Sequence, residues 1–202
     1  MTRRKEIDRE RVLDAVEEVI METGGLGLTL NAVVERAGIS KGGLVYNFPT
    51  KDALVAAAMA REMARFDRLL EESPDQTTPG RMLGYADAIL NREDDASMRK
   101  TSTLLSALLH APDLLGPAQG FYDRLFAELE PRTEAQKRTR LAILAVEAVF
   151  WLRGMGIAKA SPEVWRSMLQ DAHDMIRDAA AEPPPKRPRR KAPAPAAGEP
   201  KG

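Results

Sequence analysis

Residues 29–51 read TLNAVVERAGISKGGLVYNFPTK and contain two short helical patterns separated by a turn. Thr29 stands where the N-cap of the first helix is expected, and Ser40 stands in the same place before the second. Gly38 lies between the two patterns, and a glycine there is typical of a helix end. Two short helices joined by a turn that contains glycine indicate a helix-turn-helix, which we predict over residues 29–48.

The second helix of this motif carries residues that suit contact with DNA. The first helix of a helix-turn-helix braces the second, whose N-terminal residues enter the major groove. Gly42 and Gly43 have no side chains, so the backbone can approach DNA closely there, although glycines otherwise weaken a helix. Lys41 can reach a guanine edge or a phosphate. Groups that can bind phosphate oxygens occur at Thr29, Ser40, Tyr46, Asn47 and Lys51.

The chain from residue 6 to residue 66 resembles the DNA-binding domain of the TetR family of bacterial transcriptional regulators. The resemblance is carried, in the family's order and spacing, by Thr29, Val33, Ala37, Gly38, Ile39, Ser40, Lys41, Gly42, Leu44, Phe48, Lys51 and Leu54. It implies DNA contacts from the second helix of the motif and from the start of the next helix, through Thr29, Ser40, Lys41, Gly42, Gly43, Tyr46, Asn47 and Lys51. Val34, Val45 and Asn47 depart from the residues usual in the family, and packing is an alternative role for Tyr46.

Glycine and proline divide the remaining sequence into further helices. We predict a first helix over about residues 8–23 that ends at Gly24-Gly25, and a longer helix that begins after the cap Thr50. Beyond Pro74 we predict helices over about residues 77–91, 95–110, 113–130, 133–154 and 162–180, with Pro117 kinking the third of these or marking its true start. The predicted fold class is all-α, with a three-helix helix-turn-helix domain at residues 6–66 and a helical domain at residues 67–181.

The last two predicted helices are apolar on more than one side. Eleven of the twelve residues 141–152 are apolar, and such a helix must be covered on several faces. The resemblance implies that these helices pair across a two-fold axis, and a symmetric dimer suits a palindromic operator with two half-sites. The predicted interface residues are Val149, Leu152, Trp165, Met168, Leu169, Ala172 and Ile176. The alternative is that both helices are buried within one protomer.

The resemblance also implies a pocket for a small-molecule effector among the middle helices. Its candidate lining residues, each of which can equally be ordinary core, are Met82, Tyr85, Leu105, Leu108, Phe121, Leu125, Glu147, Phe150 and Trp151. Glu147 is the one acidic residue of the apolar stretch, and a buried carboxylate needs a partner. We consider an internal arginine, such as Arg124 or Arg81, and a cationic effector, and we favour the arginine.

The composition argues against several classes of protein. The chain has 30 Lys and Arg against 30 Asp and Glu, no cysteine, and two histidines that lie far apart, His110 and His173. We therefore expect no disulfide, no metal site, no cofactor and no enzymatic activity. No apolar run approaches the roughly 20 residues of a membrane helix. The N-terminus has no signal-peptide pattern, so we expect a cytoplasmic protein.

Basic residues cluster at both ends of the chain. Residues 182–202 contain six Lys and Arg against two Glu, together with seven of the fourteen prolines. We predict that this tail is disordered and either strengthens general DNA binding or is an inert extension. Near the N-terminus lie five basic residues: Arg3, Arg4, Lys5, Arg9 and Arg11. We expect that they form either an arm that contacts DNA or a solvated terminus.

These features predict a sequence-specific DNA-binding transcriptional regulator. The form that the resemblance implies is a repressor that a small-molecule effector releases from its operator. The alternative is a DNA-binding activator, or a regulator controlled by a protein partner, without a small-molecule switch.

Overall fold

The computed structural model describes residues 8–91, 95–131 and 133–182. These residues form nine α-helices and no strand, which confirms the all-α fold class. The helices are α1 (Arg9–Gly27), α2 (Leu30–Ala37), α3 (Lys41–Asn47), α4 (Lys51–Glu71), α5 (Thr78–Leu90), α6 (Asp95–Leu108), α7 (Gly116–Glu128), α8 (Glu134–Gly154) and α9 (Pro162–Ala180), with a 3-10 helix (Pro112–Leu114) before α7. The predicted disordered tail from residue 183 onward and the start of the basic arm (Arg3, Arg4 and Lys5) lie outside the described residues.

The helix starts follow from hydroxyl caps and from prolines. A side-chain oxygen accepts a hydrogen bond from a backbone N–H of the following helix at Thr29, Ser40, Thr50, Thr77, Thr133 and Ser161. Pro162 occupies the first position of α9, and the predicted range 162–180 is confirmed. Pro117 lies in the first turn of α7, so it marks a true start. The predicted helix over residues 113–130 is in fact the 3-10 helix followed by α7.

The regular part of the first helix ends where the sequence predicts, and a short helical segment follows it. Gly24 has φ 70° and ψ 179°, which is not helical, and it separates residues 9–23 from a last turn of α1 that reaches Gly27. The predicted stop at Gly24-Gly25 is therefore confirmed for the regular helix, and the turn after it is an addition, because a glycine with positive φ can interrupt one turn without preventing the next. A methyl group at Gly25 would lie 3.3 Å from the side chain of Thr103 in α6, so the end of α1 packs closely on that helix.

One continuous core connects the N-terminal helices with the rest of the molecule. The N-terminal part of this core includes Val12, Val16, Val33, Leu44, Phe48 and Leu54. From there α4 runs into the C-terminal part, where Phe66 and Leu70 are buried. The predicted division between residues 66 and 67 therefore falls inside a helix that serves both parts.

α6 connects the N-terminal part with the rest of the fold. It packs against α1, α4 and α8. A methyl group at Gly154 of α8 would lie 2.7 Å from the carbonyl oxygen of Met98 in α6, so the two backbones are in contact. A shift of α6 relative to α8 must therefore also change its contacts with α1 and α4.

α8 and α9 pack on each other and leave an apolar groove on the outside of the protomer. Large exposed apolar side chains border it at Leu141, Leu152, Met168 and Met175. The groove has a volume of about 550 Å³, and Val149, Trp165 and Ala172 contribute to its lining. In the described part of the chain, no helix has both the length and the apolar character needed to cross a lipid bilayer.

Two of the predicted interface residues are core residues instead. Leu169 and Ile176 have 2% and 0% of their surfaces exposed. They lie on the stripe of α9 that faces its own protomer, where α9 packs against α5 and α8. The prediction of these two residues as interface contacts is therefore wrong.

Candidate functional site

A turn that requires glycine sets the angle between α2 and α3. Gly38 has φ 62° and ψ 40°, a left-handed conformation that favours glycine. Its N–H donates to the carbonyl of Glu35, and the N–H of Ile39 donates to that of Val34. Ser40 then caps α3, and its hydroxyl accepts a hydrogen bond from the Gly43 N–H at 3.2 Å. α2, the turn and α3 thus have the form of the predicted helix-turn-helix.

α3 has one buried face and one exposed face. Leu44 and Phe48, just after the helix, are buried in the N-terminal part of the core. Lys41, Gly42 and Tyr46 face outward, and Tyr46 has 75% of its surface exposed, which contradicts the packing alternative for this residue. A methyl group at Gly42 would meet no protein atom within 4 Å, so packing within the chain does not require this glycine. The outer face can therefore be approached closely by another molecule.

Two of the predicted contact residues bind the protein's own backbone. Asn47 Nδ2 donates to the carbonyl of Gly43 at 3.0 Å, and Lys51 Nζ donates to the carbonyl of Gly25 at 3.0 Å. Lys51 therefore braces the start of α4 against the bend of α1, a role that sequence reasoning missed. No salt bridge joins Lys41 to any residue within the described ranges.

A cluster of aromatic side chains fills the middle of the C-terminal part. It comprises Phe66 of α4, Tyr85 of α5, Phe121 and Tyr122 of α7, and Phe150 and Trp151 of α8. Neighbouring ring centres lie 5.2–6.3 Å apart, mostly in tilted or edge-to-face arrangements. The inner rings are nearly fully buried, whereas Tyr122 and Trp151 are half-buried and lie toward the outside.

Glu147 of α8 lies within this cluster with 7% of its surface exposed. Its carboxylate accepts hydrogen bonds from the hydroxyl of Tyr85, from the hydroxyl of Tyr122 at 2.6 Å and from Trp151 Nε1 at 3.2 Å. Trp151 Nε1 also donates to the Tyr122 hydroxyl, at 2.8 Å. Burial raises the pKa of the Glu147 carboxyl, and the three hydrogen bonds offset this effect only in part. Burial and the neighbouring carboxylate also raise the pKa of the Tyr122 hydroxyl.

The predicted arginine partner of Glu147 is wrong. Arg81 pairs with Glu128, and Arg124 pairs with Asp67. The side chain of Arg124 is 58% exposed and that of Arg81 is 28% exposed, and neither forms an ion pair with Glu147, which is bound by neutral donors instead.

A second group of charges joins α6 to α1 and α4. The ammonium of Lys100 lies 3.0 Å from Glu17 of α1 and 3.0 Å from Glu62 of α4. Arg61 and Arg65 of α4 also pair with Glu17, at 2.7 and 3.0 Å. Burial acts to raise the pKa of Glu17, but the bonds from Lys100 and the two arginines outweigh it and hold that pKa below its ordinary range. α6 is thus linked to the N-terminal helices by charge pairs as well as by packing.

Two family models match the chain. Residues 12–58 match the model described as bacterial regulatory proteins, tetR family, and residues 80–177 match the model described as Tetracyclin repressor-like, C-terminal domain. The chain belongs to the TetR family. It is a DNA-binding transcriptional regulator.

Relatives of this TetR-family regulator include proteins named as repressors. The chain is 29% identical over 150 residues to the HTH-type transcriptional repressor KstR of Rhodococcus jostii, a match that covers 73% of this chain and 70% of the relative. It is 31% identical over 104 residues to KstR of Mycobacterium tuberculosis, but that match spans only about half of each protein, 51% and 46%. The HTH-type transcriptional regulator BetI of Burkholderia lata is 28% identical over 184 residues, covering 85% of this chain and 93% of the relative.

Solved structures share the fold of this TetR-family regulator. A transcriptional regulator from Rhodococcus sp. Rha1 superposes with a TM-score of 0.64 at 22% identity, over 85% of this chain and 97% of that chain. The multidrug binding protein EbrR, solved in complex with malachite green, superposes with a TM-score of 0.61 at 22% identity, over 81% of this chain and 96% of that chain. At these identities the similarity supports the fold alone.

The structure brings together five of the predicted effector-pocket residues. The cluster around the carboxylate contains Tyr85, Phe121, Glu147, Phe150 and Trp151. The other four candidates are apolar residues of the interior: Met82, Leu108 and Leu125, which are fully buried, and Leu105, which is half-buried.

Sequence reasoning missed Tyr122 and the charged cluster at α6. Tyr122 directly follows Phe121, so it points about 100° away from the buried stripe and is not marked by helical spacing. The charged cluster could have been found from the sequence. Glu62 lies between Ala58 and Phe66 at the spacing of the buried stripe of α4, just as Glu147 interrupts that of α8.

The two histidines lie beside aspartates of other helices. His110 Nε2 is 3.2 Å from Asp52 Oδ2 of α4, and His173 Nε2 of α9 is 3.0 Å from Asp87 Oδ1 of α5. Each contact joins two separate parts of the fold. Among the residues that the structure describes, no three or more His, Cys, Asp or Glu side chains are grouped so that they could hold a metal ion.

Proposed function

We propose that the protein is a homodimeric repressor that leaves a palindromic operator when a small molecule binds in its C-terminal part. Residues 6–66 read DNA, residues 67–181 bind the effector and form the dimer, and residues 182–202 add basic charge. The protein acts in the cytoplasm and has no catalytic role. The observation that carries the proposal is the two-sided α3, whose inner face is fixed in the core while its outer face is exposed.

The outer face of α3 has the chemistry of a major-groove contact. Lys41, at the first position of the helix, reaches base edges or phosphate, and Gly42 allows the backbone to come close. The remaining proposed contacts position the protein on the DNA backbone through Thr29, Ser40, Gly43, Tyr46, Asn47 and Lys51. Because the ammonium of Lys51 binds the carbonyl of Gly25, Lys51 acts through its backbone N–H at the start of α4.

The apolar groove between α8 and α9 supports the dimer. Exposed Leu152 and Met168 border this groove, with Val149, Trp165 and Ala172 in its lining. A monomer rarely leaves such a contiguous apolar surface in water, and a two-fold axis would cover it with the same surface of a second copy. Two helix-turn-helix motifs related by that axis would contact half-sites about 34–36 Å apart.

The aromatic cluster supports binding of a small molecule. Its rings and buried carboxylate combine apolar surface with a few polar groups, as ligand sites do. EbrR, which shares the fold, is named as a multidrug binding protein and was solved with small molecules. α6 lies between this part and the N-terminal helices, so it is placed to pass on a change of arrangement. An effector shifts that equilibrium only by binding one arrangement more tightly than the other.

The experiment that tests the proposal is genome-wide immunoprecipitation with sequencing of the bound DNA, followed by titration of the purified protein on the recovered sequences. We expect a palindromic site that holds two protomers and is released by a class of small molecules; the promoter of the protein's own gene is the first place to look. Absence of any preferred sequence would contradict the proposal. Tight operator binding that no compound changes would favour an activator, or a regulator controlled by a protein partner.

A further inference from the structure

The charge of Glu147 has no positive partner within the described protein. Its carboxylate is bound by Tyr85, Tyr122 and Trp151, and within the described ranges no Lys, Arg or His forms an ion pair with it. These three donors are neutral, so they satisfy the oxygen atoms without balancing the negative charge. An ionised carboxylate taken out of water is costly unless an opposite charge accompanies it. The site therefore offers a negative charge to a ligand.

The surroundings of the carboxylate indicate which kind of positive charge it would accept. Tyr122 and Trp151, which bond the carboxylate, are half-buried. The ring centre of Phe126, a residue with 45% of its surface exposed, lies 5.8 Å from the ring centre of Tyr122. The faces of aromatic rings attract cations, most strongly where water is excluded. Rings cannot replace the water ligands of a metal ion or of a strongly hydrated ammonium group. One carboxylate among rings suits a single positive charge carried on an apolar body.

We propose that Glu147 is the counter-ion for an organic monocation that binds against the rings of Tyr122 and Trp151. The ligand class comprises quaternary ammonium, phosphonium and delocalised aromatic cations. The proposal rests on the proposed function, because it names the chemical class of the effector. The cation separates Tyr122 from Trp151, which breaks the hydrogen bond that joins Trp151 Nε1 to the Tyr122 hydroxyl at 2.8 Å. It displaces the hydrogen bonds that both side chains donate to the carboxylate and supplies the opposite charge that neutral donors lack.

Calorimetric titration of the full-length protein without DNA tests the cation site. The probes are tetraphenylphosphonium and benzyltrimethylammonium as cations, and tetraphenylborate as an anion of nearly the same size and shape as the first. We expect at least one cation to bind and the borate not to bind. Glu147→Gln keeps the shape and one carbonyl oxygen but removes the charge, and we expect it to weaken cation binding at least tenfold.

The matched control is Glu134→Gln. This change removes the same charge from the same helix about 20 Å away, at a carboxylate whose side chain is 79% exposed. We expect cation affinity to stay within twofold of the unmodified protein. Equal cation affinity in Glu147→Gln, equal binding of the borate, or failure of both cations to bind would overturn the proposal.

Circular dichroism and thermal melting show whether Glu147→Gln folds. If it does not, Trp151→Leu provides the second test, because loss of the ring should weaken cation binding at least threefold. If folded Trp151→Leu binds the cation as tightly as the unmodified protein does, the proposed cation site would be overturned. Tyr122→Phe is the contrasting variant. It removes a hydroxyl that competes for the carboxylate but keeps the ring, so cation binding should be retained or tightened.

Release from DNA is measured separately, by fluorescence anisotropy with an operator fragment. Cation binding that leaves the operator complex intact would contradict the proposed function and leave the cation site standing. Operator release by compounds that bind Glu147→Gln as tightly as the unmodified protein would contradict the cation site and leave the proposed function standing.

Discussion

Lys41 is the residue at which the DNA interface can be tested with the least disturbance of the fold. It is exposed at the start of α3 and has no salt bridge to a described residue. We expect Lys41→Ala to weaken operator binding while helix content stays unchanged. If Lys41 binds guanine, about 1–3 kcal/mol of discrimination should vanish at one base pair of each half-site. If it binds phosphate, affinity should fall for all sequences and depend less on salt. Anisotropy titrations at several salt concentrations separate these cases.

The control for this variant is Lys137→Ala. Lys137 lies on α8 with half of its side chain exposed, and among the described residues its ion pair is with Glu134, one turn away. The same charge is removed far from α3, so operator affinity should hardly change. Equal effects of the two variants, or no effect of Lys41→Ala, would remove Lys41 from the interface.

The second residue-level prediction concerns Glu147 and pH. Burial raises the pKa of its carboxyl above the ordinary value of 4.5, and the titratable side chains that face it are those of Tyr85 and Tyr122. The stability that this group contributes is therefore complete below about pH 4.5 and is lost as pH rises through the raised folded-state pKa. Glu147→Gln cannot titrate. We expect its unfolding free energy, relative to the unmodified protein, to increase over this range.

Urea unfolding at several values between about pH 4 and pH 8 measures this difference. Glu134→Gln serves again as the control. Its carboxyl is exposed, and Lys137 lowers its pKa, so its difference should not grow with rising pH. If the unfolding free energy of Glu147→Gln relative to the unmodified protein does not change with pH, the buried carboxyl is not the source of the pH dependence.

At the scale of the elements, the contact of α6 with α1 and α4 can be weakened by one substitution. Lys100→Met keeps the apolar stem but leaves Glu17 and the fully buried Glu62 with fewer positive partners. We expect a loss of about 1–3 kcal/mol of unfolding free energy, because breaking a buried pair leaves a desolvated charge. Lys137→Met breaks an exposed pair and should cost less than about 0.5 kcal/mol.

Acid titration distinguishes this effect from simple loss of packing. The pKa of Glu17 lies below its ordinary value of 4.5, so its contribution to stability is present above that value and is lost as pH falls through the lowered pKa. Lys100→Met removes part of the cause and should therefore lose less stability on acidification than the unmodified protein. Equal losses in the two proteins would contradict an ionic role for Lys100.

The bounds of the helices could be predicted from the sequence where capping residues or prolines mark their ends. They could not be predicted where contacts between residues distant in the chain determine them. Ser161 and Pro162 mark the start of α9. The glycine signal likewise marks the end of the regular helix at Gly24, but the extra turn of α1 beyond it packs on Thr103 of α6, a contact that the sequence does not indicate. The partner of Glu147 was predicted wrongly because Tyr85 and Tyr122 lie 62 and 25 residues away along the chain. No spacing rule connects such positions.

For the whole molecule, the prediction concerns the outer face of α8 and α9. Met168 has 46% of its surface exposed in the protomer, whereas Trp165 has only 6%. We expect Met168→Glu to produce folded monomers that bind the operator weakly, because a carboxylate in the shared groove loses its hydration. Unlike Met168→Glu, Trp165→Glu should also lower the melting temperature, since it places a charge in the protomer's own core. Sedimentation analysis and circular dichroism measure both outcomes.

Ser167→Glu is the control for the dimer. Ser167 is an exposed neighbour on α9 that does not line the groove, so it adds the same charge outside the apolar surface. It should remain dimeric and bind the operator normally. A Met168→Glu protein that stays dimeric would place the interface elsewhere.

The shortness of α3 has a consequence for the thermodynamics of DNA binding. Seven residues, two of them glycine, are too few to form a stable helix alone, so α3 depends on its Ser40 cap and on two buried side chains. Local opening of such a segment costs little free energy, and we expect its amide hydrogens to exchange with solvent faster than those of α4 or α8. Operator binding must suppress that opening. It should therefore slow exchange most in α3 and carry an entropy cost and a negative heat-capacity change beyond those of a rigid surface.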